Sequence, residues 1–289
     1  IKEFQGKIIQ SPDVVIGYVA QDESLDPQLT IFENLAQEIE TVNEPEKIAN
    51  QVRSTLSMLE ITNEIDSYPR EISGGQYQRA IIGKALVRNP NLLLLDEPFG
   101  HLDERLRFEL MTELFPLFKS QGIALIWVTH QNHEALAFSD RIMVLNHGEV
   151  QAVEAPYELV YRPKNLFTAQ FMGRANTVVA KLLEDQGETL SIKVFNKTIE
   201  IKKPEGYKMP QYEELLLVLR ASQIVKAEKG EFSGRIVEAL FLGERYLCEV
   251  EVTPEVSLWM NVPGHERPEK NQKIRFDIDK ERLHSLSEV

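Results

Sequence analysis

The sequence predicts a doubly wound α/β unit followed by an all-β module. Three observations carry this. Short apolar runs alternate with helical patterns as far as about Gly173. From Asn176 onward, apolar and polar residues alternate between turn residues, as in a set of short strands. The length of 289 residues itself points to about two domains.

Residues 1 to about 25 read as short strands, clearest in Val14-Val15-Ile16-Gly17-Tyr18-Val19. Residues 31–64 are polar, acidic and helical in pattern, with an interruption at Pro45. A loop over 67–75 leads into a helix reaching Arg88. Leu92-Leu93-Leu94-Leu95 is an apolar run ending in charge, the pattern of a buried parallel strand. After Asp103, Leu106, Leu110, Leu114 and Leu117 share one helix face. Residues 123–128 form another apolar strand, ending at Thr129-His130. A short helix near 134–137 and a strand over 141–145 follow. Ligands of α/β sheets bind at the carboxyl ends of the strands, where Asp96-Glu97 and His130 fall. In the β module, Leu190-Ser191-Ile192-Lys193-Val194 shows the alternation well. Its two halves are loosely alike, with apolar strands leading to Leu219-Arg220 in one and to Ile278 in the other.

The net charge of −13 argues against a general nucleic-acid binder, which needs basic surface to neutralise phosphates. Cys248 is the only cysteine, so no intrachain disulfide and no cysteine zinc cluster can form. A reducing, cytosolic setting is expected. No apolar run approaches the ~20 residues that cross a bilayer. No signal peptide is expected, since no basic segment precedes an apolar stretch at the start. Any membrane attachment is expected to be peripheral.

The residues that carry chemistry come in a set. Ser73-Gly74-Gly75-Gln76 opens a helix. By itself it reads either as an N-cap or as an anion cradle of hydroxyl and backbone N–H groups. Asp96-Glu97-Pro98 ends a strand. It is either a solvated strand end or a carboxylate pair dividing two tasks, one beside Mg²⁺ and one polarising water. His130 at the next strand end could hydrogen-bond a γ-phosphate, and the Gln21 amide could ligate a metal or a water. Neither residue decides anything alone.

Their order and spacing resemble those of ATP-binding-cassette (ABC) ATPases from Phe4 to about Gly173. Ile72-Ser73-Gly74-Gly75-Gln76-Tyr77-Gln78-Arg79 resembles the signature loop. The 92–98 segment resembles the Walker B strand with its catalytic glutamate. Leu102-Asp103 is similar to the D-loop, and Thr129-His130 to the switch histidine. The resemblance implies an α/β P-loop NTPase core with a helical subdomain over residues 1–173, using ATP and Mg²⁺. It implies Glu97 as general base and Asp96 with Gln21 at the metal. Gln21 and His130 would sense the γ-phosphate, and Ser73, Gly74, Gly75, Gln76 and Asp103 would contact nucleotide across a head-to-tail dimer. Residues just past Gln21 would touch a transmembrane permease, itself served by a substrate-binding protein. The expected partners are thus a second copy or a paired ABC subunit and a permease, with no nucleic acid. The expected place is the cytoplasmic face of the cell membrane.

Three departures stand out. Position 72 is Ile where the family usually has Leu, and Gln131 stands where Asp is usual. No Gly-x-x-x-x-Gly-Lys-Ser/Thr loop occurs in the chain, nor the aromatic residue that stacks on adenine. The expectation is a chain truncated before the Q-loop by roughly fifty residues on family analogy, inactive alone. The alternatives are a catalytically silent or regulatory paralogue and a non-transport ABC protein.

Residues 174–289 resemble the accessory OB-like β domain, called TOBE, on ATPase subunits of some bacterial importers. Leu219-Arg220-Ala221-Ser222-Gln223-Ile224 is similar to its Arg-Pro-Glu strand end, and Leu242-Gly243-Glu244-Arg245 to its Leu-Gly turn. The linker from Pro156-Tyr157-Glu158-Leu159 to Asn176 is similar to that group as well. Within it, ferric-iron and polyamine importers are nearest. The reading for the whole is the ATP-hydrolysing, energy-coupling subunit of such an importer.

Overall fold

The computed structural model describes residues 6–39, 44–203, 207 and 213–286. The strand reading at 1–5, part of the acidic stretch at 40–43 and the last residues of the β module, 287–289, lie outside the described residues. The chain divides into two compact units, Ile1–Glu134 and Ala135–Val289. The sequence boundary near Gly173 falls inside the second.

The first unit holds a parallel three-stranded sheet of β1 (Ile16–Val19), β2 (Leu92–Asp96) and β3 (Ala124–Val128), with β2 in the centre. Val14 and Val15 stay outside β1; the Val15 N–H and C=O instead bond to Asn91. Around the sheet stand α1 (Ile31–Ala36), α2 (Pro45–Met58), α3 (Gly74–Leu86) and α4 (Glu104–Ser120). Pro45 starts α2 at its first turn, where a missing N–H costs nothing, rather than interrupting a longer helix. Helix α1 begins with a Thr30–Glu33 capping box. Helices α1, α2 and α3 pack together, α3 also against β1, and α4 against β3. Gly17 permits the α3 contact, because a Cβ there would lie 2.8 Å from the Ala85 carbonyl oxygen.

On α4 the buried stripe is Leu110, Met111, Leu114, Phe115 and Phe118, with Leu106 and Leu117 only half-buried at its margins. Phe115 meets Trp127 of β3 edge-on, ring centroids 4.5 Å apart. Burial of β2 is one-sided: Leu93 and Leu95 are in the core, whereas Leu94 shares a face with the exposed Tyr18, Ile126 and Val128. The four-leucine run had pointed to burial on both faces, which requires cover on both.

The second unit takes up the rest of α5 (Asn132–Phe138), a helix that starts in the first. An antiparallel hairpin follows, β4 (Ile142–Asn146) and β5 (Glu149–Glu154), in place of a further strand of the parallel sheet. Its turn, His147-Gly148, has φ of 48° and 83°, the two left-handed residues that a tight hairpin needs. After α6 (Pro156–Tyr161) and α7 (Leu166–Phe171) come ten strands among the described residues. They run β6 (Ala175–Asp185), β7 (Thr189–Val194), β8 (Lys197–Lys202), β9 (Glu214–Arg220), β10 (Ile224–Lys226), β11 (Phe232–Phe241), β12 (Arg245–Thr253), β13 (Val256–Pro263), β14 (Lys273–Ile278) and β15 (His284–Leu286).

The ten strands form two five-stranded antiparallel sheets, ordered β15-β9-β6-β7-β8 and β10-β14-β11-β12-β13. The two orders are the same pattern repeated, with the fifth strand of each half exchanged into the other sheet. One apolar core joins them, running from Ala180, Ile192 and Leu219 to Val250, Met260 and Phe276. Cys248 is part of it, and burial pushes its thiol up to about 11. Asn176 on β6 and Trp259 on β13 exchange two hydrogen bonds, of 2.8 and 2.6 Å, between the sheets. This is the all-β module expected from the alternation, consistent with the OB-like domain that the resemblance implies.

At the end of β9 the buried Arg220 caps two helices at once. Its Nε donates to the Val160 carbonyl of α6 at 2.8 Å. Its Nη1 donates to the Ala169 carbonyl of α7 at 2.6 Å and to that of Gly173 at 2.8 Å. A guanidinium at two helix C-termini satisfies orphan carbonyls and faces the negative ends of both dipoles. Substituting Arg220→Ala takes this donor from three carbonyls, that of Ala169 in a buried bond and those of Val160 and Gly173 in part-buried ones. It is expected to destabilise the second unit by roughly 3 kcal/mol, read as a shift in the denaturant midpoint.

Candidate active site

The parallel register places the sequence-predicted residues. Val19 pairs with Leu95, Leu95 with Trp127 and Asp96 with Val128. Gln21, Asp96, Glu97 and His130 therefore all fall at the carboxyl edge of one sheet. Asp96 is the last residue of β2. Gln21 is exposed in the turn after β1.

Glu97 has a left-handed φ of 46°. That conformation costs a non-glycine residue about 1–2 kcal/mol, and Pro98 behind it disfavours the right-handed alternative. It is held by its N–H donating to Val128 O at 3.1 Å and its carbonyl accepting from Gly100 N at 3.1 Å. So oriented, Glu97 Oε2 lies 3.1 Å from His130 Nδ1. The Nδ1 side of the ring therefore faces the carboxylate, and Nε2 faces away from it.

The loop carrying His130 is fixed from beneath by a buried ion pair. Arg107 Nη1 lies 3.1 Å from Glu134 Oε1, with side chains 13% and 5% exposed. The other Glu134 oxygen accepts from Thr129 Oγ1 at 3.2 Å, and Thr129 Oγ1 accepts from Gln131 N at 3.0 Å. The peptide is thus held on both sides of His130. Arg107 Nη2 meanwhile donates to Leu102 O at 2.9 Å, fixing the turn before Asp103. Asp103 itself caps α4, accepting from Leu106 N at 3.0 Å.

Ser73 caps α3 in a reciprocal box. Its Oγ accepts from Gln76 N at 3.3 Å, and Gln76 Oε1 accepts from Ser73 N at 2.8 Å. Gln76 Nε2 also reaches Glu64 at 2.7 Å. The capping leaves the N–H groups of Gly74 and Gly75 at the helix end without intrahelical partners. Both glycines have ordinary negative-φ helical backbone. A Cβ at Gly74 would meet only Leu102 Cδ2 at 3.9 Å, and one at Gly75 only Leu106, at 3.5 Å and beyond. Nothing inside the chain requires glycine at either position.

Sequence reading missed the residues that join these parts. Gln78, buried on α3, donates to the Pro98 carbonyl and ties the helix to the Walker-like strand end. Its one signal in the sequence is a polar residue on the apolar stripe of Ile81, Ile82 and Ala85. Tyr77 Oη accepts from Leu25 N at 3.2 Å and Lys84 pairs with Glu23 at 2.5 Å, both tying α3 to the segment after Gln21. Removing one partner of a buried pair leaves an uncompensated charge. Glu134→Leu is therefore expected to destabilise the first unit by about 3 kcal/mol, and Arg107→Met with Glu134→Leu by less than that single change. Equilibrium unfolding of the four corners of the cycle measures both.

Comparison with known proteins gives the family. A family model described as ABC transporter matches residues 1–100. The spermidine/putrescine import ATP-binding protein PotA of Chromobacterium violaceum is 38% identical over 258 residues, covering 85% of this chain and 71% of that protein. The alpha-glucoside transport ATP-binding protein AglK of Rhizobium meliloti is 33% identical over 278 residues, covering 93% and 76%. The Fe(3+) ions import ATP-binding protein FbpC of Haemophilus influenzae is 31% identical over 262 residues, covering 86% and 73%. A solved dimeric bacterial ABC transporter cassette overlaps 49% of this chain and 62% of its own, with 33% identity and a TM-score of 0.42. On relatives this similar over this much of their length, the chain belongs to the ABC transporter family of ATPases.

Proposed function

We propose that the chain is the ATP-hydrolysing, energy-coupling subunit of a bacterial importer for polyamine or ferric iron, at the cytoplasmic face of the membrane. The observation that carries the enzymatic part is the Glu97–His130 pair, 3.1 Å apart at the carboxyl edge of a parallel sheet. The cargo reading rests on the names of relatives at 38% and 31% identity. Among the described residues, no helix is long and apolar enough to cross a membrane. A separate permease is therefore the proposed route for cargo.

In this reading Glu97 is the general base, accepting the proton of the water that attacks the γ-phosphate. Its backbone strain keeps the carboxylate at one position. His130, oriented by Glu97, presents Nε2 toward the phosphate, and Arg107 with Glu134 keeps the histidine loop in place. Asp96 and the Gln21 amide are oxygen donors of the kind Mg²⁺ takes. Such ions are held by one or two protein groups together with phosphates and water, so this small donor set fits. The bound ion would offset charge on the phosphates.

The glycines favour a site shared between two chains. Glycine costs roughly 0.5–1 kcal/mol against alanine in a helix interior and less at the first helical position, where Gly74 lies. No internal contact explains that cost at Gly74, so the reading is close approach by a nucleotide held on a partner. Ser73 Oγ and the free N–H groups of Gly74 and Gly75 would meet it at a positive helix end. Asp103, beside Leu102 and facing the same loop, would line the seam. We place the functional boundary at 173/174, with residues 174–289 as a TOBE-like accessory domain.

Two outcomes test this in the complete protein. Glu97→Gln should lower ATP turnover at least about 100-fold while ATP-dependent dimers accumulate on size exclusion. Cells carrying it should lose uptake of labelled spermidine or of ferric iron, and whichever is lost identifies the cargo. Normal turnover in that variant overturns the assignment of the base. Gly74→Ala should raise thermal stability, by up to about 1 kcal/mol, and still abolish turnover. Unchanged turnover would overturn the shared site.

A further inference from the structure

The second unit contains a cavity of about 760 Å³ that the ATPase reading does not use. Its size is in the usual range for small-molecule sites, roughly 300–1,000 Å³. Its walls come from α6 and the turn after it, the end of β8, and the segment entering β15.

The charge of the lining runs against that of the protein. Five cations, Arg162, Lys164, Lys202, Lys203 and Arg282, face two carboxylates, Glu158 and Glu281, in a chain of net charge −13. Some of that charge is already engaged. Lys203 pairs with Asp185 at 2.7 Å, Lys164 with Glu154, and Arg282 with Asp279 at 2.5 Å. Arg162 pairs with Glu158 at 3.6 Å. Lys202, on the last position of β8, has no ion-pair partner among the described residues.

The second feature is aromatic. Tyr157 and Tyr161 stand one turn apart on α6 with ring centroids 4.8 Å apart. Tyr207 lies across the cavity under the Lys203 ammonium, 5.1 Å from Nζ to its centroid. The Tyr207 hydroxyl is buried without a hydrogen-bond partner. A buried hydroxyl left unpaired costs about 1–3 kcal/mol, so it marks a place where an acceptor is missing. Burial raises the Tyr207 pKa, so the phenol keeps the proton it would donate.

We propose that this cavity binds a small organic phosphate monoester carrying a planar apolar group. The cations come from separate walls and, with the Tyr207 hydroxyl, suit a tetrahedral group with three acceptor oxygens. A planar carboxylate is matched by an arginine fork, and the Arg282 fork is already taken by Asp279 through Nε and Nη2. The apolar group would lie against the tyrosines of α6.

Phenyl phosphate is the probe, titrated calorimetrically into the complete protein, with inorganic phosphate and benzoate as the separate halves. Phenyl phosphate should bind with 1:1 stoichiometry and at least tenfold tighter than either half. Lys202→Glu should weaken it at least tenfold, and Tyr207→Phe severalfold without loss of folded protein by circular dichroism. Saturating ADP should not compete with phenyl phosphate, which separates this site from the nucleotide edge and its fate from the ATPase reading. No binding at millimolar phenyl phosphate overturns the proposal. So does benzoate binding as tightly, or an affinity untouched by Lys202→Glu.

Discussion

The geometry of the catalytic edge depends on the buried contact between Arg107 and Glu134. One guanidinium and one carboxylate, on α4 and at the start of α5, reach the two loops that chemistry needs. Arg107 holds the carbonyl of Leu102 beside Asp103, and Glu134 holds Thr129 beside His130. The pair gains little net stability, because desolvating two charges offsets most of their attraction. What it contributes is position. The ion pair thus links the His130 loop to the Asp103 turn. The Glu97 carboxylate meets the histidine from the adjacent strand end.

Much of this was legible in the residues. The apolar runs gave β2 and β3, the glycine-serine loop gave the start of α3, and Asp103 gave that of α4. The set proposed for catalysis was visible because Gln21, Asp96-Glu97 and His130 sit at strand ends in one order. What stayed hidden depends on distant pairing. Arg107 and Glu134 are 27 positions apart, and charged residues on helices are ordinarily solvated. Gln78 reaches Pro98 across 20 positions. Arg220 was noticed as part of a strand end, but its bonds to α6 and α7 span 47 to 60 positions and follow only from the fold. Pro45 was read as a break because proline both stops and starts helices, and only the observed cap separates the two.

The Gly74 and Glu97 backbones carry the same physical lesson from opposite sides. At Gly74 a residue that weakens the helix is kept where the chain has room for more. At Glu97 a residue that resists left-handed backbone is kept in it. Local preference is overridden at both positions, and both belong to the proposed chemistry.

The exchanged strands of the β module bear on how the protein is made. β15, at residues 284–286, supplies the edge of the sheet that begins at Ala175. That sheet cannot be completed until more than a hundred further residues have left the ribosome. Such sequence separation makes the module a high-contact-order fold, slow to close and cooperative when it does. Neither half has its full set of strands alone, so the two sheets should gain and lose their structure together during synthesis and unfolding.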